Sequence, residues 1–410
     1  MKVLVLAGGF DQIELIKEIK AKGWDVILAD YYESPPAKAY ADKHFQISTL
    51  DEEKVFELAK KERVDLITTA CTDQALLTMA RVSSRLGLPS YISEEVALRM
   101  TNKFYMKQCF KDNGIPTADF VLIDDRAKIE DNVYGIKKFP QIVKPCDCNS
   151  SKGVTKVTGM DGLIQAAYGA FELSRSGKII IEEYIEGVEL SIDVWVGKDA
   201  VKILDISETC KINDNNEFFT IFRSIYPAEH VGMVEEKIKK VAEQIAEAFS
   251  LSDCPMLIQA LIHQGDVYVI EASARMGGGT KYKYIKEISG IDIMKVYVNR
   301  IMGDTGQVLN PIKNAKYYEL DYVYAYNGTV TEIIGLEELK AEGVLDDYFI
   351  YKPIGSVVSK RTTSSDRILG FLISDVSGTE LVKKRDFVVS HIDIRDKDKS
   401  IFYRDCFRRQ

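Results

Sequence analysis

The sequence predicts an α/β protein of more than one unit. A parallel sheet covered by helices comes first, a mixed α+β middle follows, and a small strand-rich α+β unit closes the chain. Three observations carry this. Residues 1–92 alternate short apolar runs with segments of helical period, residues 93–310 mix strands, helices and a hairpin, and 410 residues exceed what one ordinary core fills.

Residues 3–6 are apolar throughout and bounded by Gly8-Gly9, which reads as a buried strand. Residues 11–22 form a helix with Ile13, Ile16 and Ile19 on one face, ended by Gly23. A second strand at 25–29 leads to Asp30, a helix spans 52–61, and a third strand covers 66–70. A helix over 74–86 is closed by Gly87. This βαβαβα order argues a parallel sheet with both faces covered.

Ser93 is placed to N-cap a new helix. A further helix at 101–111 stops at Asn113-Gly114, and extended chain begins at Pro116. Strands are expected at 139–145, 178–181 and 190–196, the last two separated by Glu186-Gly187. Residues 233–249 carry Ile238, Val241, Ile245 and Ala248 at helical spacing. Strands at 256–263 and 267–271 joined by Gln264-Gly265-Asp266 form a hairpin. Turns are expected at Asn327-Gly328 and Ser377-Gly378 in the closing unit, 311–410.

Composition narrows function. Net charge is −8, so the basic footprint that nucleic acid or an anionic membrane surface requires is missing. The seven cysteines are odd in number and include no CxxC pair, which argues for reduced thiols over a zinc framework or disulfide scaffold. The opening MKVLVLAGG is too short for a signal peptide, and no apolar run nears the roughly 20 residues of a membrane span. A cytoplasmic protein is expected.

Four constellations carry chemistry. Gly8 and Gly9, after the first strand, let a ligand approach the backbone at a helix N-terminus; a tight turn explains them equally well, and they do not make a GxGxxG fingerprint. Lys103 starts a helix and Lys144 ends an apolar strand, where its charge must find a partner or solvent; taken alone, each reads better as a solvated surface charge. The loop after Lys144, with Ser150, Ser151 and Gly153, can present backbone N–H groups to phosphates. Glu182, Glu183, Tyr184 and Ile185 end another apolar strand, and Glu189 returns on the next: a polar hairpin tip, or a hinge for a base edge and ribose hydroxyls.

The fourth is the strongest. Gln259 lies on one strand of the hairpin, and Glu271, Ser273 and Arg275 alternate onto one face of its partner. Three polar side chains in a row in an apolar context are costly unless they bind something. A carboxylate with neighbouring oxygens suits Mg²⁺ when phosphates supply the rest, and an arginine offers a planar fork for phosphoryl or carboxylate oxygen. Gly277, Gly278 and Gly279 follow. A buried salt-bridge network is the alternative.

In this order the pieces resemble the ATP-grasp superfamily, in the branch with biotin carboxylase, carbamoyl-phosphate synthase, purine-pathway ligases and L-amino-acid ligases. The resemblance implies an N-terminal pre-ATP-grasp domain at 1–92, an ATP-grasp domain at 93–310 with a mobile lid at about 116–188, and a C-terminal domain at 311–410. It implies that Lys103 and Lys144 hold ATP phosphates, Ser150 and Ser151 lie in the phosphate loop, and Glu182, Glu183 and Ile185 form the adenine hinge. Glu189 then takes the ribose, Glu271 takes Mg²⁺ (or Mn²⁺), and Arg275 is the arginine of the E-x-N-x-R signature, catalytic together with Lys144. Gln259 stands where the family has a further metal carboxylate and Ser273 where it has Asn; both are neutral oxygen donors, which leaves the number of metal ions open. Gly277–Gly279 resemble the substrate loop of amino-acid ligases, with Gly8 and Gly9 as further substrate-side candidates.

The implied activity is an ADP-forming carboxylate–amine ligase working through an acyl phosphate on small-molecule substrates, with a homodimer as the family-level assembly. A purine-pathway enzyme using a phosphoribosyl substrate or bicarbonate, and a nucleotide-binding protein without catalysis, are the alternatives.

Overall fold

A computed structural model of the chain describes every residue except 150, 213–219, 360–362, 409 and 410; the expected phosphate-loop residue Ser150 therefore lies outside the described residues. The chain forms two compact units. One gathers Met1–Ala118, Ser191–Asp205 and Met233–Lys313, the other Asp119–Leu190, Ile206–Gly232 and Asn314–Gln410.

The first unit opens with a four-stranded parallel sheet in the order Lys43–Gln46, Asp25–Asp30, Lys2–Leu6, Leu66–Thr68. Its central strands carry unbroken apolar runs, 3–6 and 26–29, because helices pack against them: Val3, Val5, Val26 and Leu28 share one core with Leu15, Ile16 and Ile19 of the helix Asp11–Ala21 and with Ile285, Met294 and Tyr297 from later in the chain. The edge strand Lys43–Gln46 is half-exposed and has no apolar run that would betray it. The two helices expected, one from Ser93 and one over 101–111, are Glu94–Thr101 and Lys103–Asp112. Ser93 caps the first by accepting from the Val96 N–H, and Asn102 caps the second by accepting from the Phe104 N–H. Lys103 is thereby fixed as the first residue of its helix.

The hairpin of this unit pairs Cys254–His263 with Asp266–Ser273. Its two-residue turn, Gln264-Gly265, has both φ angles positive (50° and 80°), the turn whose twist matches paired strands. Gln259 faces Glu271 across the ladder, but Ala260 faces Val269, so Ile270 is an extra, unpaired residue, a β-bulge one position before Glu271. The helix Glu235–Ala248 buries Ile238, Val241 and Ile245, as its spacing predicts.

The second unit holds two cores. An antiparallel sheet in the order Phe120–Ile123, Ile179–Glu183, Gln141–Pro145, Thr155–Val157 is covered through Ile129, Val133, Leu163 and Ala167 of two helices. The other core lies under the antiparallel strands Ile221–Tyr226, Tyr317–Val323, Leu369–Asp375 and Asp347–Ile350. The sequence expectation of a turn at Ser377-Gly378 is corrected: Ser377 accepts from the Glu380 N–H and starts the helix Gly378–His391, which sends Leu381 and Val388 into that core. Asn327 is a bend leading into the short strand Gly328–Thr329. Among the described residues, no helix is long and apolar enough to cross a membrane.

Candidate active site

In the first unit the bulged strand and two helix N-termini bring four charged side chains together. Lys103 Nζ stands 3.1 Å from a Glu271 carboxylate oxygen, with Lys103 nearly buried and the Glu271 side chain 32% exposed. Gln259 is the direct cross-strand neighbour of Glu271. Of the three oxygen donors expected around a metal, Gln259 and Glu271 are thus side by side, with the lysine on the acid.

Ser273 and Arg275 meet a residue that sequence reasoning missed. Asp73, first residue of the helix Asp73–Leu86, accepts from Ser273 Oγ at 2.5 Å and from Arg275 Nε at 2.6 Å on one oxygen, and from Arg275 Nη2 on the other. The Arg275 guanidinium is held flat by this fork and by Nη1 donating to the Met276 carbonyl at 2.7 Å. Burial would raise the Asp73 carboxyl, but the Arg275 guanidinium and the Ser273 hydroxyl outweigh it and hold the group below its ordinary value. The position at a helix N-terminus favours the same charge. Local signal for Asp73 existed in Thr72-Asp73 ahead of a helical period, a helix-start pattern; its partnership with Arg275 left none.

The Gly-rich loop is tied down from both ends. Gly277 N–H donates to Asp193 Oδ1 at 2.8 Å, and the Gly279 and Thr280 N–H groups donate to the two Asp11 oxygens at 3.0 and 2.8 Å. Gly279 and Thr280 both have left-handed φ, 73° and 61°, which for a β-branched residue requires support from such bonds. Gly278 is half-exposed between two buried glycines. Cys71, which also has positive φ, lies beside Gly278, and burial pushes its thiol well above the usual value, with the Asp11 charge adding to the effect. That shift disfavours the thiolate, the nucleophilic form of a cysteine.

Gly8 and Gly9 are explained by the turn they make. Gly8 N–H donates to Asp30 Oδ2 at 2.6 Å, and a Cβ on Gly8 would stand 2.8 Å from Pro35. A Cβ on Gly9 would come within 3.2 Å of Gln12 Oε1.

In the second unit Lys144 has the partner its position demands. It and Glu182 lie on neighbouring antiparallel strands, both about 6% exposed, and their side chains form a direct ion pair. Glu183 is half-buried with Lys138 Nζ at 3.7 Å, and Ile185 is half-buried on the loop that follows. Glu189 pairs with Lys211, a lysine not singled out from sequence. In the loop after Lys144, Cys146 is buried and Ser151 takes positive φ at 61°. Asp147 anchors that loop by accepting from the Ser176 N–H at 2.6 Å and from the Arg175 N–H at 3.2 Å.

Comparison with known proteins places these features in a family context. A family model described as D-ala D-ala ligase C-terminus matches residues 109–295, and one described as PylC-like, N-terminal domain, matches residues 3–88. The L-arginine-specific L-amino acid ligase of Bacillus subtilis is 27% identical over 324 residues, 76% of this chain and 75% of that enzyme. A formate-dependent phosphoribosylglycinamide formyltransferase of Mannheimia succiniciproducens is 26% identical over 187 residues, but the match spans only 47% of that enzyme. The crystal structure of an L-amino acid ligase from Bacillus licheniformis superposes with a TM-score of 0.77 over 96% of this chain and 98% of that one; at 20% identity this shows the shared fold.

Proposed function

The chain belongs to the ATP-grasp superfamily of ATP-dependent, ADP-forming carbon–nitrogen ligases, and from that premise we propose that it joins a small carboxylate to an amine by way of an acyl phosphate. The observation that carries the proposal is the segment running from Glu271 to Arg275, with its acid half-exposed beside Gln259 and its arginine held flat by Asp73.

The residues present suit a divalent cation that takes most of its ligands from phosphates and water. Glu271 and Gln259 would hold it, and it would neutralise charge on the transferring phosphoryl group. Lys103, already on Glu271, would be the cation for phosphate oxygens when that acid is otherwise engaged. Lys144 with Glu182, the following loop with Ser150 and Ser151, the Glu183–Ile185 segment and Glu189 are the proposed nucleotide contacts. In this reading residues 116–188 are the lid of a domain at 93–310.

The chemistry runs in two steps. A carboxylate oxygen bonds to the γ-phosphorus as the bond to the bridging oxygen breaks, and ADP leaves. The amine nitrogen then adds to the acyl carbon, phosphate departs with the bonding pair, and the nitrogen loses its proton. Arg275 acts on oxygen charge in both, since its guanidinium is fixed before substrate arrives and need not reorganise. Gly277–Gly279 form the substrate-side loop. The phosphoribosyl alternative loses ground at Gly8, whose N–H is bonded to the Asp30 carboxylate and so is not offered to a phosphate.

The test is a panel of carboxylates and amines read for substrate-dependent release of ADP, with hydroxylamine present in a parallel set. The expected result is ADP and a hydroxamate of the preferred acid. AMP as co-product, or ADP release insensitive to every acid and amine, would sink the proposal.

A further inference from the structure

Behind the Gly-rich loop, in the first unit, lies a charged cluster that no step above uses. Lys281, 4% exposed, follows the loop directly as the first residue of the helix Lys281–Ser289. Its Nζ donates to Asp193 Oδ2 at 2.8 Å and to Ser191 Oγ at 2.9 Å, and stands 2.8 Å from Asp205 Oδ2. Both aspartates are completely buried. Two carboxylates in an apolar interior would not both ionise without a cation between them. Lys281 is that cation: burial alone would lower its pKa, but Asp193 and then Asp205 outweigh it and hold the amine protonated.

Asp193 has a second task. Its other oxygen, Oδ1, accepts the Gly277 N–H. One carboxylate therefore links the buried lysine to the first amide of the loop. A Cβ on Gly277 would sit 3.0 Å from the same Asp193 oxygen and 3.0 Å from Lys281 Cδ, so a side chain there would press on both members of the pair. Asp205 holds the lysine through Oδ2, while Asp193 spans both the lysine and the Gly277 amide.

We propose that Asp193 and Lys281 form a positioning clasp that sets the Gly277–Thr280 loop for capture of the second substrate. Lys281 keeps Asp193 oriented, and Asp193 holds the loop; neither touches the reacting atoms. This rests on the reading of Gly277–Gly279 as the substrate-side loop. A purely structural cluster makes a different forecast, because Asp193 and Asp205 would then be equivalent.

The experiment compares Asp193→Asn, Asp205→Asn and Lys281→Arg in the full chain. Hydrogen exchange of the peptide covering 276–282 reads the loop without any substrate. Calorimetric ADP affinity reads the nucleotide site, and KM against kcat for the acid and the amine reads function. Asp193→Asn is expected to speed loop exchange by about tenfold or more and raise KM for one substrate by a similar factor, with ADP affinity within about twofold of wild type. Asp205→Asn is expected to leave loop exchange and KM near wild type even where its melting temperature falls. Lys281→Arg, which keeps the charge, is expected to retain most of the loop protection. Equal loop exchange and KM in the two aspartate variants, or unchanged loop exchange in Asp193→Asn, overturns the clasp. Faster loop exchange without any KM change keeps the loop's anchor but removes its substrate role, and so overturns the proposal through the functional reading alone.

Discussion

Replacing Glu271 by Gln separates catalysis from stability. The substitution keeps size and an oxygen that accepts from Lys103, and removes one negative charge. Because the acid's side chain is 32% exposed and its lysine partner is 3.1 Å away, the ion pair belongs with the weak, solvent-screened class, worth about 1 kcal/mol at most. For a chain of 410 residues, unfolding entropy of about 2.1 cal/mol/K per residue makes that a melting shift of roughly 1 °C. The catalytic role makes a larger demand. Glu271 is the only anionic group among Gln259, Glu271 and Ser273, and loss of one preorganised electrostatic group lowers turnover by about 10²–10³, equivalent to about 2.7–4 kcal/mol. The activity loss should therefore exceed the stability loss by a factor of about three. Adding Lys103→Met sharpens the test. Removing both partners of an ion pair restores much of any lost stability, whereas turnover should fall further because Lys103 is a proposed phosphate contact. Melting temperature and substrate-dependent ADP release would be measured for both single variants and the double variant. A folded Glu271→Gln enzyme with turnover within about tenfold of wild type, or a double variant that regains turnover as it regains stability, would refute the reasoning.

Three further outcomes are expected. Asp73→Asn should loosen Arg275 and raise KM for the carboxylate by about tenfold, checked by steady-state kinetics; since the folded Asp73 carboxyl is held below its ordinary 3.8, its stabilisation is present above that pH and lost as acid titrates the folded group, so the variant should show a flatter acid denaturation curve. Arg275→Lys keeps charge but loses the fork on Asp73, and kcat should fall by about 10² with ADP affinity near wild type in calorimetry. Glu319, buried beside Asp321, is pushed up to about 7, first by burial and then by that neighbouring acid; its contribution to stability is complete below 4.5 and lost as pH rises through about 7, so Glu319→Gln should reduce the fall in melting temperature between pH 5 and 8.

What the sequence disclosed and what it hid follow from the range of the interactions. The parallel strands were legible because a strand buried on both faces is an apolar run, as at Val3–Leu6, and the hairpin because Gln264-Gly265 imposes its own turn. Lys144 advertised its need for a partner by ending such a run, and Glu182 meets it. The polar partners that complete the first unit's site were hidden. Asp73 is 202 residues from Arg275, and Asp11 is 269 residues from Thr280, separations that leave no local period in the chain. The helix Gly378–His391 was mistaken for a turn because it begins on a glycine and carries apolar residues on more than one side: Leu381 and Val388 inward, Val382 and Phe387 outward.

The extra residue at Ile270 has a consequence for how the hairpin tolerates change. Were Ile270 paired in regular alternation, odd-numbered positions along this strand would share one side, and Glu271, Ser273 and Arg275 would point the way Val267 and Val269 do, into hydrocarbon. The bulge resets the count: the fully buried positions are odd before it and include Ala272 and Ala274 after it. The turn end and the acid end of one strand thus obey opposite parities. Drawing Ile270 into regular pairing would turn the polar row inward without altering any polar residue, whereas deleting Ile270 would leave simple alternation with the row on its present side.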